Sequence, residues 1–292
     1  MVDEVLPNFL FIGPDKAGST WLHQALGRHP QVCLSTAKEL FFFDQFYERG
    51  WEWYKAYFAQ CGQQRKVIGE ISHDYLFSSV ACDRIARDLP SVKLMVCLRE
   101  PVQRAFSAYL YMVKQGRVAS DFDTALYKID ELIDHARYAF HLRKYLDAFG
   151  RDRVHVAIFD DLEESPQLFF DDLCDFLAID RHRLAAEFEG KVNSATRPRF
   201  FYIAGLARKV GWLVRRWGMP GLVGFVKNSA WVNWILYQEY GRDSKPEISD
   251  EARKYIRDQL MSEVQDLDAM VGTDLCARWG YPKRADSTLA QP

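Results

Sequence analysis

The stretch "FLFIGPDKAGSTWLHQAL", Phe9 to Leu26, decides the fold. Phe9–Ile12 is a short run without a polar break, the pattern of a strand buried on both faces of a parallel sheet. "GPDKAG" follows as a turn, and the Ser19–Thr20 pair opens an apolar helix. Backbone N–H groups at such a helix start hold a phosphate-like dianion whatever side chains flank them. The stretch therefore predicts a phosphate-bearing ligand.

The rest of the chain repeats the alternation. Apolar runs at Lys66–Gly69, Val92–Leu98 and Val154–Phe159 read as further buried strands. Amphipathic stretches at Thr20–Arg28, Val80–Asp88, Val102–Lys114, Ala136–Phe149 and Pro166–Leu177 read as helices, the last with Ser165 as N-cap. The expected fold is α/β, a P-loop-like parallel β-sheet flanked by helices, with right-handed crossovers. Residues 1–284 are expected to form a single domain with its core over 8–180. From Arg197 the chain turns aromatic and basic and is broken by Gly218, Pro220 and Gly221. Residues 197–245 are expected to form an α-helical C-terminal lid region. Ile256, Leu260, Val264, Leu267 and Val271 then step by three and four along a closing helix within 246–284, and 285–292 reads as a tail.

Bulk properties exclude some classes. The 292 residues are 48% hydrophobic and carry a net charge of only -2, which argues for no nucleic-acid partner. Cys33, Cys61, Cys82, Cys97, Cys174 and Cys276 are scattered without metal-ligand spacing, and are expected to be buried, reduced thiols. The N-terminus has no basic, apolar leader pattern and no run approaches the ~20 apolar residues of a membrane span. A soluble, cytoplasmic protein is the expectation.

A second stretch, "LMVCLREPVQRAFSAYL", places Arg99 just after a buried strand, Pro101 at a helix start and Ser107 two helical turns on. Ligands of open α/β sheets bind at strand carboxyl ends. An arginine and a hydroxyl there can clamp a second phosphate through charge-assisted hydrogen bonds.

With both stretches in hand, a family resemblance is plain. Lys16, Ala17, Gly18, Ser19, Thr20 and Trp21 resemble the 5′-phosphosulfate loop of sulfotransferases that use 3′-phosphoadenosine 5′-phosphosulfate (PAPS). Arg99-Glu100-Pro101 through Arg104, Ser107 and Tyr109 resembles their 3′-phosphate motif. "HPQVCLSTAKELFFFD" is similar to a segment of the carbohydrate (heparan sulfate) sulfotransferases and their bacterial relatives. The resemblance implies PAPS as cosubstrate, no metal, and transfer of a sulfuryl group to an acceptor hydroxyl, less readily an amine, by in-line displacement. The acceptor would be a small molecule, glycan or lipid.

The resemblance also explains the lysine. In the kinase-type P-loop it directly follows the second glycine, where this chain has Ser19; Lys16 lies inside the loop. The family places this loop lysine against the leaving oxygen between sulfur and the 5′-phosphate, as an electrostatic stabiliser. For the base, Glu39 aligns with the catalytic glutamate of the carbohydrate branch. His73 falls where the cytosolic branch has its catalytic histidine, and an unperturbed imidazole titrates near neutrality. Ile71 stands where the carbohydrate branch has a lysine.

Two rival readings are a P-loop kinase or NTPase, with "VHVAIFDD" as its metal-binding strand, and a non-catalytic nucleotide-binding module. The aromatic residues Phe41, Phe42, Phe43, Trp51, Trp53 and Tyr54 are expected near the opening for the acceptor. Residues 205–237, rich in Trp, Arg and Lys, are read as a lid over the acceptor groove in preference to a membrane-surface contact.

Overall fold

The computed structural model describes residues 5–62, 64–188, 196–198, 201–218, 237–239 and 246–284, with backbone alone for 196–198, 201 and 237–239. Strand β1 (Phe9–Gly13) leads through the loop into α1 (Ser19–Gly27), and β2 (Val32–Leu34) follows. A π-helical turn over Phe42–Phe46 precedes α2 (Gly50–Lys55), β3 (Val67–Ile71), α3 (Ser79–Asp88) and β4 (Lys93–Leu98). Next come α4 (Pro101–Lys114), the short α5 (Phe122–Leu126) and α6 (Glu131–Asp134), and α7 (Tyr138–Phe149). Strand β5 (Val154–Ile158) runs into α8 (Phe159–Glu164) and α9 (Pro166–Leu177). The described C-terminal residues form β6 (Thr196–Pro198), α10 (Phe201–Arg216), β7 (Tyr237–Glu239), α11 (Asp250–Val271) and α12 (Leu275–Arg278).

The first five strands make one parallel sheet in the order β2-β3-β1-β4-β5. Strand β1 lies in the middle, with Leu10 opposite Glu70 on one side and Leu94 on the other. Its residues alternate between two cores. Leu10 and Ile12 join a cluster with residues of α3, α4, α7 and α11, while Phe9 and Phe11 join one with α1, α8 and α9. Both faces of the sheet are thus covered, which is why its strands read as unbroken apolar runs.

Local signals set the helix ends. Pro101 occupies the first turn of α4, and Glu100 accepts a hydrogen bond from the Gln103 amide at 2.8 Å. Ser249 caps α11 by accepting from the Ala252 amide, and Gly272 ends it in the left-handed conformation. On α11, Ile256, Leu260, Val264 and Leu267 are buried as the spacing predicts, while Val271 is only half-buried. Strand β2 escaped the sequence reading because three residues are too few to carry a period.

Three sequence expectations need correction. Cys33 and Cys61 are joined by a disulfide. Tertiary packing brings them together across 28 residues, where the Thr36 amide donates to the Tyr57 carbonyl and Gln60 Nε2 to the Leu34 carbonyl. Cys82, Cys97, Cys174 and Cys276 are free and buried, as expected. Second, Phe42, Phe43 and Tyr54 do not line an opening: all three are fully buried, with Phe42 and Tyr54 stacked at 4.3 Å. Phe41, Trp51 and Trp53 stay partly exposed. Third, the C-terminal region is not purely helical, because β6 and β7 pair antiparallel on either side of α10 in the chain. Residues 219–236, 240–245 and the expected tail, 285–292, lie outside the described residues.

Candidate active site at the carboxyl ends of the strands

The candidate residues leave the sheet at the same edge. The Lys16 loop follows β1, Glu39 comes after β2, His73 after β3 and Arg99 after β4. Strand order reverses beside β1, the topological switch where open α/β sheets form their ligand crevice.

The loop is shaped by its glycines. Gly13 has φ 134°, and a β-carbon there would lie 2.2 Å from the His73 carbonyl oxygen. Gly18 caps α1 with φ 85°, and a β-carbon would meet Leu162 at 2.9 Å. Only residues without side chains let the backbone pass so closely. The first amides of α1 have no partner within the helix, so they point into the loop's concavity.

Lys16 takes a left-handed conformation, φ 63°, with Nζ 4.5 Å from the centre of the Tyr111 ring. Glu39 and Phe41 are left-handed too, at φ 62° and 52°. Such backbone conformations are costly for residues with side chains, and they concentrate at functional positions. Ala17 is fully buried. The Trp21 ring, expected beside the ligand, is instead core: it sits edge-on to Phe169, Phe170 and Phe188, and Nε1 donates to the Phe188 carbonyl. That leaves its backbone amide on the loop side.

A lysine that the sequence reading did not single out completes the loop. Lys38 Nζ donates to Ser19 Oγ at 3.1 Å and Thr20 Oγ1 at 3.0 Å, and lies 3.7 Å from Glu39 Oε1. It brings a cation to the hydroxyls at the helix start. Its position directly before Glu39 was the signal available in the sequence.

Glu39 stands at the centre of a charged cluster. Besides Lys38, its carboxylate pairs with His73 Nε2 at 3.5 Å and with Arg215 Nη2 at 3.2 Å. Arg215 also donates to the Glu39 carbonyl. It comes from α10, and no spacing in the sequence could have paired residues 176 positions apart. His73 Nδ1 lies 2.6 Å from Asp74 Oδ1. Burial disfavours the charged imidazole, but the charge and hydrogen bond of Asp74, then those of Glu39, outweigh it and hold the ring well above its ordinary pKa. The two carboxylates thus favour the charged imidazole of His73.

Arg99 reaches back to the loop. Its Nη1 donates to the Lys16 carbonyl at 3.1 Å, its guanidinium covers the Phe159 ring at 4.5 Å, and its buried Nε has no hydrogen-bond partner among the described residues. Ser107 sits half-buried on α4, the helix into which Arg99 leads. Arg104, part of the same motif, faces elsewhere. It is fully buried, pairs with Asp15 at 3.1 Å and donates to the Glu131 and Leu132 carbonyls, tying the loop to α6. Ile71, in the family's lysine position, is buried in the core.

A five-stranded parallel sheet with a glycine-bounded cradle and cations at its carboxyl edge defines an α/β protein with a candidate anion site. A family model described as "Sulfotransferase domain" matches residues 6–195, and the chain belongs to that family. It is 32% identical over 160 residues to the membrane-associated sulfotransferase kil1 of Dictyostelium discoideum, covering 50% of this chain and 34% of that protein. It is 29% identical over 198 residues to the bifunctional heparan sulfate N-deacetylase/N-sulfotransferase 1 of Caenorhabditis briggsae, covering 60% of this chain and 23% of that protein. The chain thus spans about a third and a quarter of these relatives.

Two solved structures share the fold. A sulfotransferase from Alicyclobacillus acidocaldarius has TM-score 0.69 at 22% identity, over 94% of this chain and 99% of its own. Mouse sulfotransferase SULT7A1 complexed with PAP has TM-score 0.50 at 11% identity, over 93% and 88%.

The expected cytoplasmic location does not stand. A 32% identical relative is a membrane-associated sulfotransferase, and the Cys33–Cys61 disulfide is a feature of oxidising compartments. Among the described residues no helix is long and apolar enough to cross a membrane.

Proposed function

We propose that this chain transfers the sulfuryl group of PAPS to a hydroxyl of a carbohydrate acceptor. The observation that carries the reading is the convergence of Lys16, Lys38, Glu39, His73 and Arg99 at one edge of the sheet, where successive strands end. The cradle suits the 5′-phosphosulfate: amides at the start of α1, with the Ser19 and Thr20 hydroxyls beside Lys38. The partnerless Nε of Arg99 suits the 3′-phosphate, with Ser107 as its second contact.

In this mechanism the acceptor oxygen attacks sulfur in line, and the bond from sulfur to the bridging phosphate oxygen breaks. Adenosine 3′,5′-bisphosphate leaves, its new charge met by Lys16. Glu39 accepts the acceptor's proton. His73, whose two carboxylate neighbours favour its protonated form, is assigned the role of orienting Glu39 by donating to it.

Carbohydrate is favoured by the heparan sulfate enzymes among the relatives, and their N-sulfotransferase names keep an amino sugar as the second acceptor. Arg215 beside Glu39 also suits an anionic glycan. The kinase reading fares worse. Trp279 Nε1 donates to Asp160 at 2.8 Å and Arg278 pairs with Asp161 at 2.6 Å, so both carboxylates are engaged by the closing segment. Residues 1–284 are proposed to work as one catalytic domain.

Thermal unfolding tests the ligand. Adenosine 3′,5′-bisphosphate should raise Tm without magnesium, by mass action on the folded state. Transfer from labelled PAPS to a desulfated glycan should persist in EDTA. Stronger stabilisation by ATP with magnesium would overturn the reading.

A further inference from the structure

The sequence reading made the aromatic, basic segment a lid packed onto the body, yet the structure turns its apolar side the other way. At 3.6 residues per turn, Tyr202, Ile203, Leu206, Val210, Leu213 and Trp217 fall within about 100° of the α10 circumference. All six are between 41% and 88% exposed. The opposite side of the helix faces the protein: Ala204 is buried, and Arg215 pairs with Glu39. The end of the helix is fastened there by Trp53 Nε1 and Tyr57 Oη, which both donate to the Gly218 carbonyl.

Charge complements the stripe. Residues 201–217 contain Arg208, Lys209, Arg215 and Arg216 and no acidic residue, against a chain of net charge -2. Lys209 and Arg216 border the stripe on one side, with Trp212 beyond them, while Arg208 falls on the far side of the helix with Arg215. On the Trp212 side opens a cleft of about 530 Å³ lined by Gln45, Phe46, Glu48, Arg49, Trp212 and Arg216. Two guanidiniums and two aromatic rings in a cleft beside an apolar ridge match a phosphate headgroup and its acyl chains.

We propose that α10 is an interfacial helix that docks this protein onto the surface of an anionic phospholipid bilayer. Its apolar stripe enters the headgroup–acyl boundary, and Lys209 and Arg216 on its border pair with lipid phosphates. The candidate base then lies across the helix from the lipid, about 10 Å away. The docking itself does not depend on the sulfotransfer reading.

Cosedimentation of the full chain with vesicles tests it. The chain should pellet with phosphatidylglycerol in phosphatidylcholine, not with phosphatidylcholine alone, and should release as salt rises. Leu206→Glu with Val210→Glu should abolish pelleting while leaving Tm unchanged. Lys209→Gln with Arg216→Gln should weaken it about tenfold. Absence of pelleting with anionic vesicles, or undiminished pelleting of the Leu206→Glu/Val210→Glu variant, would overturn the proposal. So would a dimer in solution that the same variant dissociates in the absence of vesicle binding, which would assign the stripe to a second copy.

Discussion

The imidazole of His73 is shared between two carboxylates, with Nδ1 2.6 Å from Asp74 and Nε2 3.5 Å from Glu39. A histidine held this way bridges the end of β3 and the residue proposed to take the acceptor's proton. Its folded-state pKa is raised well above 6.5. The stability it contributes is fully present below the unfolded value and is lost as pH rises through the folded one. NMR of ring-labelled protein should find His73 still protonated at about pH 7.5, and Asp74→Asn should lower its pKa. A neutral ring at that pH would return His73 to the list of bases.

Loss of the base should be visible in turnover alone. Glu39→Gln keeps the side chain's shape and removes its proton affinity. It should lower kcat by about 10²–10⁴-fold while calorimetry finds nucleotide binding intact. Near-normal turnover in Glu39→Gln, with a dead His73→Ala, would exchange the two roles.

Lys16 and Arg99 should separate kinetically. Leaving-group charge develops fully only in the transition state, so Lys16→Ala should reduce kcat more than cosubstrate affinity. Arg99→Ala should weaken binding of adenosine 3′,5′-bisphosphate by about 1.5–3 kcal/mol and spare binding of an analogue without the 3′-phosphate. A Lys16→Ala enzyme altered only in KM for PAPS would contradict the role given to Lys16.

Arg104 is a structural clamp of the loop, with no exposed surface and a carboxylate partner in Asp15. Burial works against Asp15, yet Arg104 and then the neighbouring cations hold its pKa below the ordinary value. Removing one partner of such a pair strands a buried charge, so Arg104→Met should cost about 3–5 kcal/mol in urea unfolding. Adding Asp15→Asn should restore part of it. A wild-type midpoint for the single variant would refute the clamp.

Asp44 should make stability fall as pH rises. Burial, then the charge of Asp74, push its carboxyl up to about 7. Below that value the folded protein keeps a proton that the unfolded chain releases near 3.8, so stability declines with pH between the two. Asp44→Asn removes the titration, and its Tm should gain on the wild type by about 2–4 °C from pH 5 to 8. A difference in Tm that stays constant with pH would show that Asp44 ionises freely.

Much of this protein was legible along the chain because its determinants are local. The apolar run Phe9–Ile12 buries both sides of its strand, so it announces a central parallel strand before any partner is known. Lys16 through Thr20 and Arg99 carry their chemistry within a few residues of a strand end, so motif and position arrive together. The same locality placed His73 near the end of its strand, whereas Glu39 came from the resemblance alone, because β2 before it is too short to read.

Only the tertiary structure decided how these residues act, since their partners come from distant chain. Arg215 reaches Glu39 from 176 residues away, and packing rather than spacing closes the Cys33–Cys61 bond. Trp21 reads with the phosphosulfate-loop motif, but its ring turns inward because three phenylalanines of later segments await it. The protonation of His73 depends on carboxylates that converge from two strand ends, and the outward face of α10 on which side of the helix meets Glu39. A one-dimensional pattern states which residues are apolar or charged; which of them meet is set by the crossing of elements far apart in sequence.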